Sequence, residues 1–161
     1  MAHSYSHLYS LPTTGLRSFT VYGPWGHPDM APYIFTKKIL AGDTIDTNNN
    51  GDMWRDFTYI DDIVEGVVRA ADVIPVVETG SPASSSAPYA VYNIGHGSPI
   101  NLIKFIEAIE AKKNFREMQA DDVYKTYADT TDLFNATGYK AQVVVKQGVS
   151  ELIKWYKDFY K

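Results

Sequence analysis

The chain has 161 residues, 45% of them apolar. That is the length of one domain, with apolar mass enough for a core, so disordered and fibrous classes are excluded. Its 15 Lys and Arg against 19 Asp and Glu leave a net charge of -4, and it has no cysteine. A general binder of phosphate backbones, disulfides, thiolate catalysis and cysteine-based zinc sites therefore drop out, while a local basic pocket stays open.

No apolar run approaches the ~18 residues of a membrane span. Met1 to Leu11 is rich in Ser, His and Tyr and lacks the apolar core of a signal peptide. The expectation is a soluble, cytoplasmic protein with no membrane and no nucleic-acid partner. Met1 to Ser10 reads as the tail of a helix, ended by Leu11-Pro12, because the residue before proline avoids the α region. Gly15 to Tyr22 reads as a strand, and Gly23 to Pro28 as a loop stiffened by glycine and proline. A helix is expected over Ala31 to Leu40, stopped by Gly42. Thr44 to Thr47 and Trp54 to Tyr59 read as strands, with a turn at Asn48 to Gly51.

The strongest helical pattern follows. Ile60, Ile63, Val64, Val67, Val68 and Ala71 repeat at helical spacing and predict the core face. Thr58 and Asp61 have capping-box spacing, and Asp61 and Asp62 suit the positive helix start. Thr79 to Pro88 reads as a mobile surface loop. Ala90 to Ile94 reads as a strand, followed by a Gly95-His96-Gly97 turn. Ser98 and Pro99 are expected as N-cap and first residue of a helix with stripe Ile100, Ile103, Ile106 and Ile109. Val149, Leu152, Ile153 and Tyr156 mark a last helix. Strands alternating with helices predict an α/β fold with some parallel sheet.

Several patterns invite chemistry, and each has a plain alternative. Gly95-His96-Gly97 lies where a dinucleotide-binding loop would, but Ile100 stands where its third glycine belongs, so a turn suffices. Tyr33 and Lys37 have the spacing of a phenol–ammonium acid/base pair, or of any surface helix. His3 and His7 share a helix face, but no third metal ligand is near in sequence, and no metal is expected. Asp61 and Asp62 pair as carboxylates or simply start a helix. Arg55 is different. In an otherwise apolar strand its charge needs an anion, either a phosphate ligand or a remote carboxylate. Asp56 cannot serve, because neighbouring strand side chains point to opposite faces.

Leu11 to Ala31, Trp54 to Glu65, Tyr92 to Gly95 and Ala128-Asp129-Thr130 together resemble, in order and spacing, the C-terminal half of extended short-chain dehydrogenase/reductases that act on nucleotide sugars. The resemblance is closest to UDP-glucuronate 4-epimerases of the capsule-polysaccharide type. It implies a partial doubly wound, Rossmann-like sheet with a small α/β substrate-binding subdomain, residues 1–161 forming one domain. In that family a bound NAD takes hydride from C4 of the sugar while a tyrosine takes the hydroxyl proton, and hydride returns to the other face. The NAD glycine loop and the catalytic Tyr-x-x-x-Lys belong to the half that the matching stretches do not include. By resemblance, Tyr33 and Lys37 are not that pair.

The resemblance also implies roles. Phe19 would lie at the nicotinamide end of NAD, and Thr20 would hydrogen-bond the substrate. Asp29 and Met30 would border the nucleotide, and Asp46, Thr47 and Asn48 would flank the uracil. Arg55 would clamp the diphosphate, and Gln119 to Asp122 would approach the ribose and phosphates. The sequence departs from the pattern at His27, where the family has arginine, at Asn48 and Asn50, where it has aromatic residues, and at Ser18. NAD binding by this chain alone is not expected. Strands Gly15–Tyr22 and Ala90–Ile94 would pair with the absent half, which predicts self-association or a partner chain carrying that half. The competing expectations are a scaffold or relic that kept the fold, and a small complete enzyme using Tyr33 and Lys37.

Overall fold

The computed structural model describes residues 1–78, 83–108, 113–117 and 122–161. The fold is α/β with parallel strand pairs, as the alternating pattern predicts. Helix α1 (Ala2–Tyr9) ends at Ser10 in a left-handed turn, φ 52°. Strand β1 (Thr13–Ser18) follows, and after a one-residue break at Phe19 the chain continues as β2 (Thr20–Tyr22). The expected single strand is thus two, because it changes partners. β1 runs parallel to β6 (Tyr89–Ile94), and β2 runs parallel to β5 (Phe57–Tyr59). The Phe19 N–H bridges the break to the Ile94 carbonyl.

The two strands expected to pair with neighbours from the other half pair with each other, Thr13 opposite Tyr89 through Ser18 opposite Ile94. The chain enters β6 from α3 (Ile60–Ala71), which follows β5 and packs against β1. Among the described residues β1 has no strand on its other edge.

Helix α2 (Ala31–Leu40) has the expected bounds, with Pro32 in its first turn. β3 (Ile45–Thr47) leads into a tight 3-10 turn at Asn48–Gly51, where Asn49 and Asn50 both take positive φ. The strand expected over Trp54–Tyr59 divides at Asp56 into β4 (Trp54–Arg55) and β5. β3 pairs with β8 (Lys113–Phe115), a strand with no clear sequence signal.

Two helix starts differ from expectation. Ile100–Asn101 forms β7, antiparallel to β4, and Asn101 rather than Ser98 caps α4 (Leu102–Glu107), its side chain accepting the Ile103 N–H. The buried face of α4 is Leu102, Phe105 and Ile106, so of the expected stripe Ile106 is buried, Ile100 and Ile103 are half-buried, and Ile109 lies outside the described residues. At α3 the N-cap is Tyr59, with no side-chain cap. Thr58 donates instead to Asp56, at 3.3 Å, and accepts the His96 N–H, at 2.9 Å. The expected core stripe of α3 is also rotated: Asp62, Ile63, Gly66 and Ala70 face inward, and Val64, Val67 and Val68 are exposed.

Residues 79–82 of the expected loop lie outside the described residues. The rest is tied down, Ala83 and Ala87 being buried and the Val91 N–H bonding the Ala83 carbonyl. Helices α5 (Thr131–Thr137) and α6 (Val145–Phe159) complete the fold. One apolar cluster joins Tyr22, Phe57 and Phe105 to α2, α4 and α6, and a smaller one joins Ile63, Ile94, Leu133 and Tyr139.

Candidate functional site

A cavity of about 490 Å³ opens between the start of α2, β2, β3 and β4, within the size range of small-molecule sites. Thr20, Asp29, Met30, Asp46, Asn48, Arg55 and Asp122 line it, over an apolar floor of Ile34, Phe35, Met53, Phe57 and Leu102. These polar residues lie as far apart in sequence as Thr20 and Asp122, and the fold gathers them. Lys38 is on the wall as well. It was missed, although its spacing of seven from Ala31 and four from Ile34 puts all three on one face of α2.

Asp56 decides which way Arg55 points. The Asp56 carboxylate is fully buried and accepts three backbone N–H groups, from His96 at 2.9 Å, Gly97 at 2.9 Å and Ala128 at 2.8 Å. With Asp56 pinned into that turn, extended geometry sends Arg55 to the opposite side, the cavity. There Nη1 donates to the carbonyls of Trp54, at 3.0 Å, and Tyr124, at 3.3 Å. Among the described residues no carboxylate forms an ion pair with Arg55. Among the described residues the guanidinium is held by neutral acceptors only.

Two other carboxylates of the cavity, Asp46 and Asp122, are occupied, while that of Asp29 is exposed. Asp46 accepts from Asn114 at 3.0 Å and faces Arg116 at 3.1 Å and Lys38 at 3.7 Å. The Asn114 hydrogen bond first, then the two cations, hold its carboxyl below the usual carboxylate range. Asp122 accepts from the Asn48 amide at 3.0 Å.

Three expected residues lie elsewhere. Thr47 is buried and donates to the Asn114 carbonyl. Phe19 and His27 line a neighbouring cavity of about 370 Å³, which shares Met30 with the first. His27 is exposed and accepts the Asp29 N–H at 3.3 Å through Nδ1. Gln119 lies outside the described residues.

The remaining patterns have structural explanations. Tyr33 bonds the Tyr160 hydroxyl, which first among several causes pushes its own pKa up to about 12, away from a base's range. His3 and His7 stack on each other with centroids 6.5 Å apart, and no metal-holding group of three occurs among the described residues. Asp62 is a buried tether, accepting the N–H groups of Gln142 and Val143, both at 3.0 Å.

A dinucleotide does not fit the Gly95-His96-Gly97 turn. Asp56 already takes the N–H groups of His96 and Gly97, the donors a pyrophosphate would need. Its carboxylate also stands 3.2 Å from where a Gly95 Cβ would lie, so an anion there would meet a second anion.

A model of the NAD dependent epimerase/dehydratase family matches residues 1–95. Protein CapI of Staphylococcus aureus is 50% identical over 100% of this chain and 52% of its own length. A probable UDP-glucuronate 4-epimerase of Rhizobium meliloti is 44% identical over 100% of this chain and 51% of its own. The UDP-glucuronic acid 4-epimerase of Bacillus cereus, solved with UDP-glucuronic acid and NAD, superposes with a TM-score of 0.82 at 29% identity, over 99% of this chain and 49% of that one. The chain spans about half the length of the curated relatives it matches.

Proposed function

The chain belongs to the NAD dependent epimerase/dehydratase family, and from that premise we propose that its cavity is the substrate-binding portion of a nucleotide-sugar 4-epimerase acting on a UDP-glucuronate-like sugar. The observation that carries the proposal is Arg55, a cation on the cavity wall with only neutral acceptors among the described residues. A diphosphate offers the paired oxygens that a guanidinium fork accepts. Thr20 supplies a hydroxyl to the sugar, and Asp29 and Met30 border the nucleotide. Asp46 and Asn48 form the uracil end, with Asp122 toward the ribose.

NAD supplies the hydride chemistry at C4 in such enzymes. Residues of this chain bind and orient the sugar, with Phe19 nearest the cofactor. His27, in place of the family's arginine, lacks the guanidinium fork that would hold a phosphate or carboxylate through paired bonds. The cavity residues bind substrate, and turnover requires in addition the glycine loop and Tyr-x-x-x-Lys pair of the family's other half, which would dock along the open edge of β1; a second copy of the chain is the competing occupant of that edge. The chain works as one domain in the cytoplasm. Among the described residues no helix is long and apolar enough to cross a membrane.

A second reading, a scaffold or relic, is favoured by one observation: the Asn48 amide is spent on Asp122 where the family stacks an aromatic ring. Calorimetric titration of UDP at low salt separates the two. Saturable binding that weakens about 30-fold or more in Arg55→Ala supports the epimerase portion. Absence of binding by a folded chain overturns it. Co-expression with an N-terminal half that yields no stable complex removes the proposed partner.

A further inference from the structure

The apolar stripe of α6 does not stop where the core stops. Val145, Gly148, Val149 and Leu152 are its buried residues. Beyond Leu152 the same side of the helix continues as Trp155, Tyr156 and Phe159, then Tyr160, and the last two are about half exposed. Trp25 joins them from the loop after β2. It is 73% exposed and takes φ 62°, a left-handed conformation that a bulky side chain rarely adopts. Its ring meets Phe159 at 4.9 Å and Trp155 at 5.4 Å.

Charge accompanies the rings. Over residues 154–161 there are three lysines, Lys154, Lys157 and Lys161, against one acid, Asp158, in a chain whose net charge is -4. Lys154, Lys157 and Lys161 recur at helical spacing beside the aromatic side, and all are exposed. Asp158 faces Lys161 at 2.9 Å, an exposed pair of little energetic weight.

We propose that this aromatic and lysine end of α6, with Trp25, docks the protein onto an anionic phospholipid bilayer surface. Aromatic side chains of this kind settle at the headgroup level, and each nearby lysine is drawn to the negative leaflet. The contact lies in the interface and needs no spanning segment. A saccharide suits the patch less well, because Trp155 and Phe159 turn their ring faces to each other, 5.4 Å apart at 19°. The inference is independent of the Arg55 site, so UDP binding neither supports nor harms it.

The test is flotation of the full chain with vesicles of phosphatidylcholine alone and of phosphatidylcholine mixed with phosphatidylserine. The bound fraction should be about tenfold higher on the anionic vesicles, fall with added salt, and be accompanied by a blue shift of tryptophan emission. Trp25→Ser with Phe159→Ser should lower it about fivefold or more. Lys154→Glu with Lys157→Glu, which leaves the rings in place, should do the same. A folded chain that ignores anionic vesicles, or one whose binding is indifferent to both variants, overturns the proposal. So does a concentration-dependent dimer lost in the ring variant without vesicle binding, which would assign the patch to a second copy.

Discussion

The two apolar clusters of the chain differ in how far they close. The cluster under the cavity is enclosed by α2, α4 and α6, with Phe57, Phe105, Ile45 and Ile106 essentially inaccessible. The cluster beneath α3 is smaller and keeps one side open. Val64, Val67 and Val68 project from it into solvent, and a groove runs between α3 and β1 past Leu16 and Val67. The cavity side therefore carries its own support, whereas the sheet side presents an apolar stripe that nothing in the described chain covers. A binding site resting on the first cluster can outlast the incompleteness of the second.

Breaking the seam between the two should have the largest effect. Asp56 ties the turn after β6 and the segment at Ala128 to the β4–β5 break. Asp56→Ala would strand the Gly97 and Ala128 N–H groups, leave the His96 N–H to Thr58 alone, and should cost about 4 kcal/mol, unfolding much of the chain, as read by urea denaturation. Next come paired glycines, one per cluster. A Cβ on Gly148 meets the Tyr22 hydroxyl and the Tyr59 ring, so Gly148→Ala should cost about 2 kcal/mol in the closed cluster. A Cβ on Gly66 meets the Ile94 methyl end and the Tyr139 ring. Ile94 and Tyr139 are themselves fully buried, so Gly66→Ala should cost a comparable ~2 kcal/mol. A cost near zero in thermal melts would mean that the smaller cluster yields where the larger does not.

Val67→Lys probes the open stripe directly. The isolated chain should change by no more than about 0.5 kcal/mol, while any complex formed along that face, measured by sedimentation, should be lost. The smallest effect belongs to Asp46. Its carboxyl titrates lower in the folded chain than in the unfolded one, so its contribution is fully present above the unfolded value of 3.8 and disappears as pH falls through the depressed folded value. Against Asp46→Asn, the two stability profiles should converge only below that point, and a difference persisting at neutral pH alone would contradict the assignment.

Legibility in the sequence followed locality. α2 and the existence of α3 and α6 were readable from helical spacing and from Pro32, because a helix satisfies its own backbone. The oddity of Arg55 among apolar strand residues was readable too, but the acceptors it finds, the Trp54 and Tyr124 carbonyls, were not. Strand β8 and helix α5 left little periodic trace in so few residues.

Local spacing and single-residue chemistry were enough for the α/β class, helices α2, α3 and α6, the loop at Gly23 to Pro28 and the singularity of Arg55. Only the tertiary structure decided which face of α3 turns inward, because small Gly66 lets Ile94 and Tyr139 approach where the larger valines cannot. Only it decided where Arg55 points, because Asp56 reaches donors forty and seventy-two residues away. Hydrogen bonds across such distances have no local signature, and they are what turn a scatter of polar residues into one cavity.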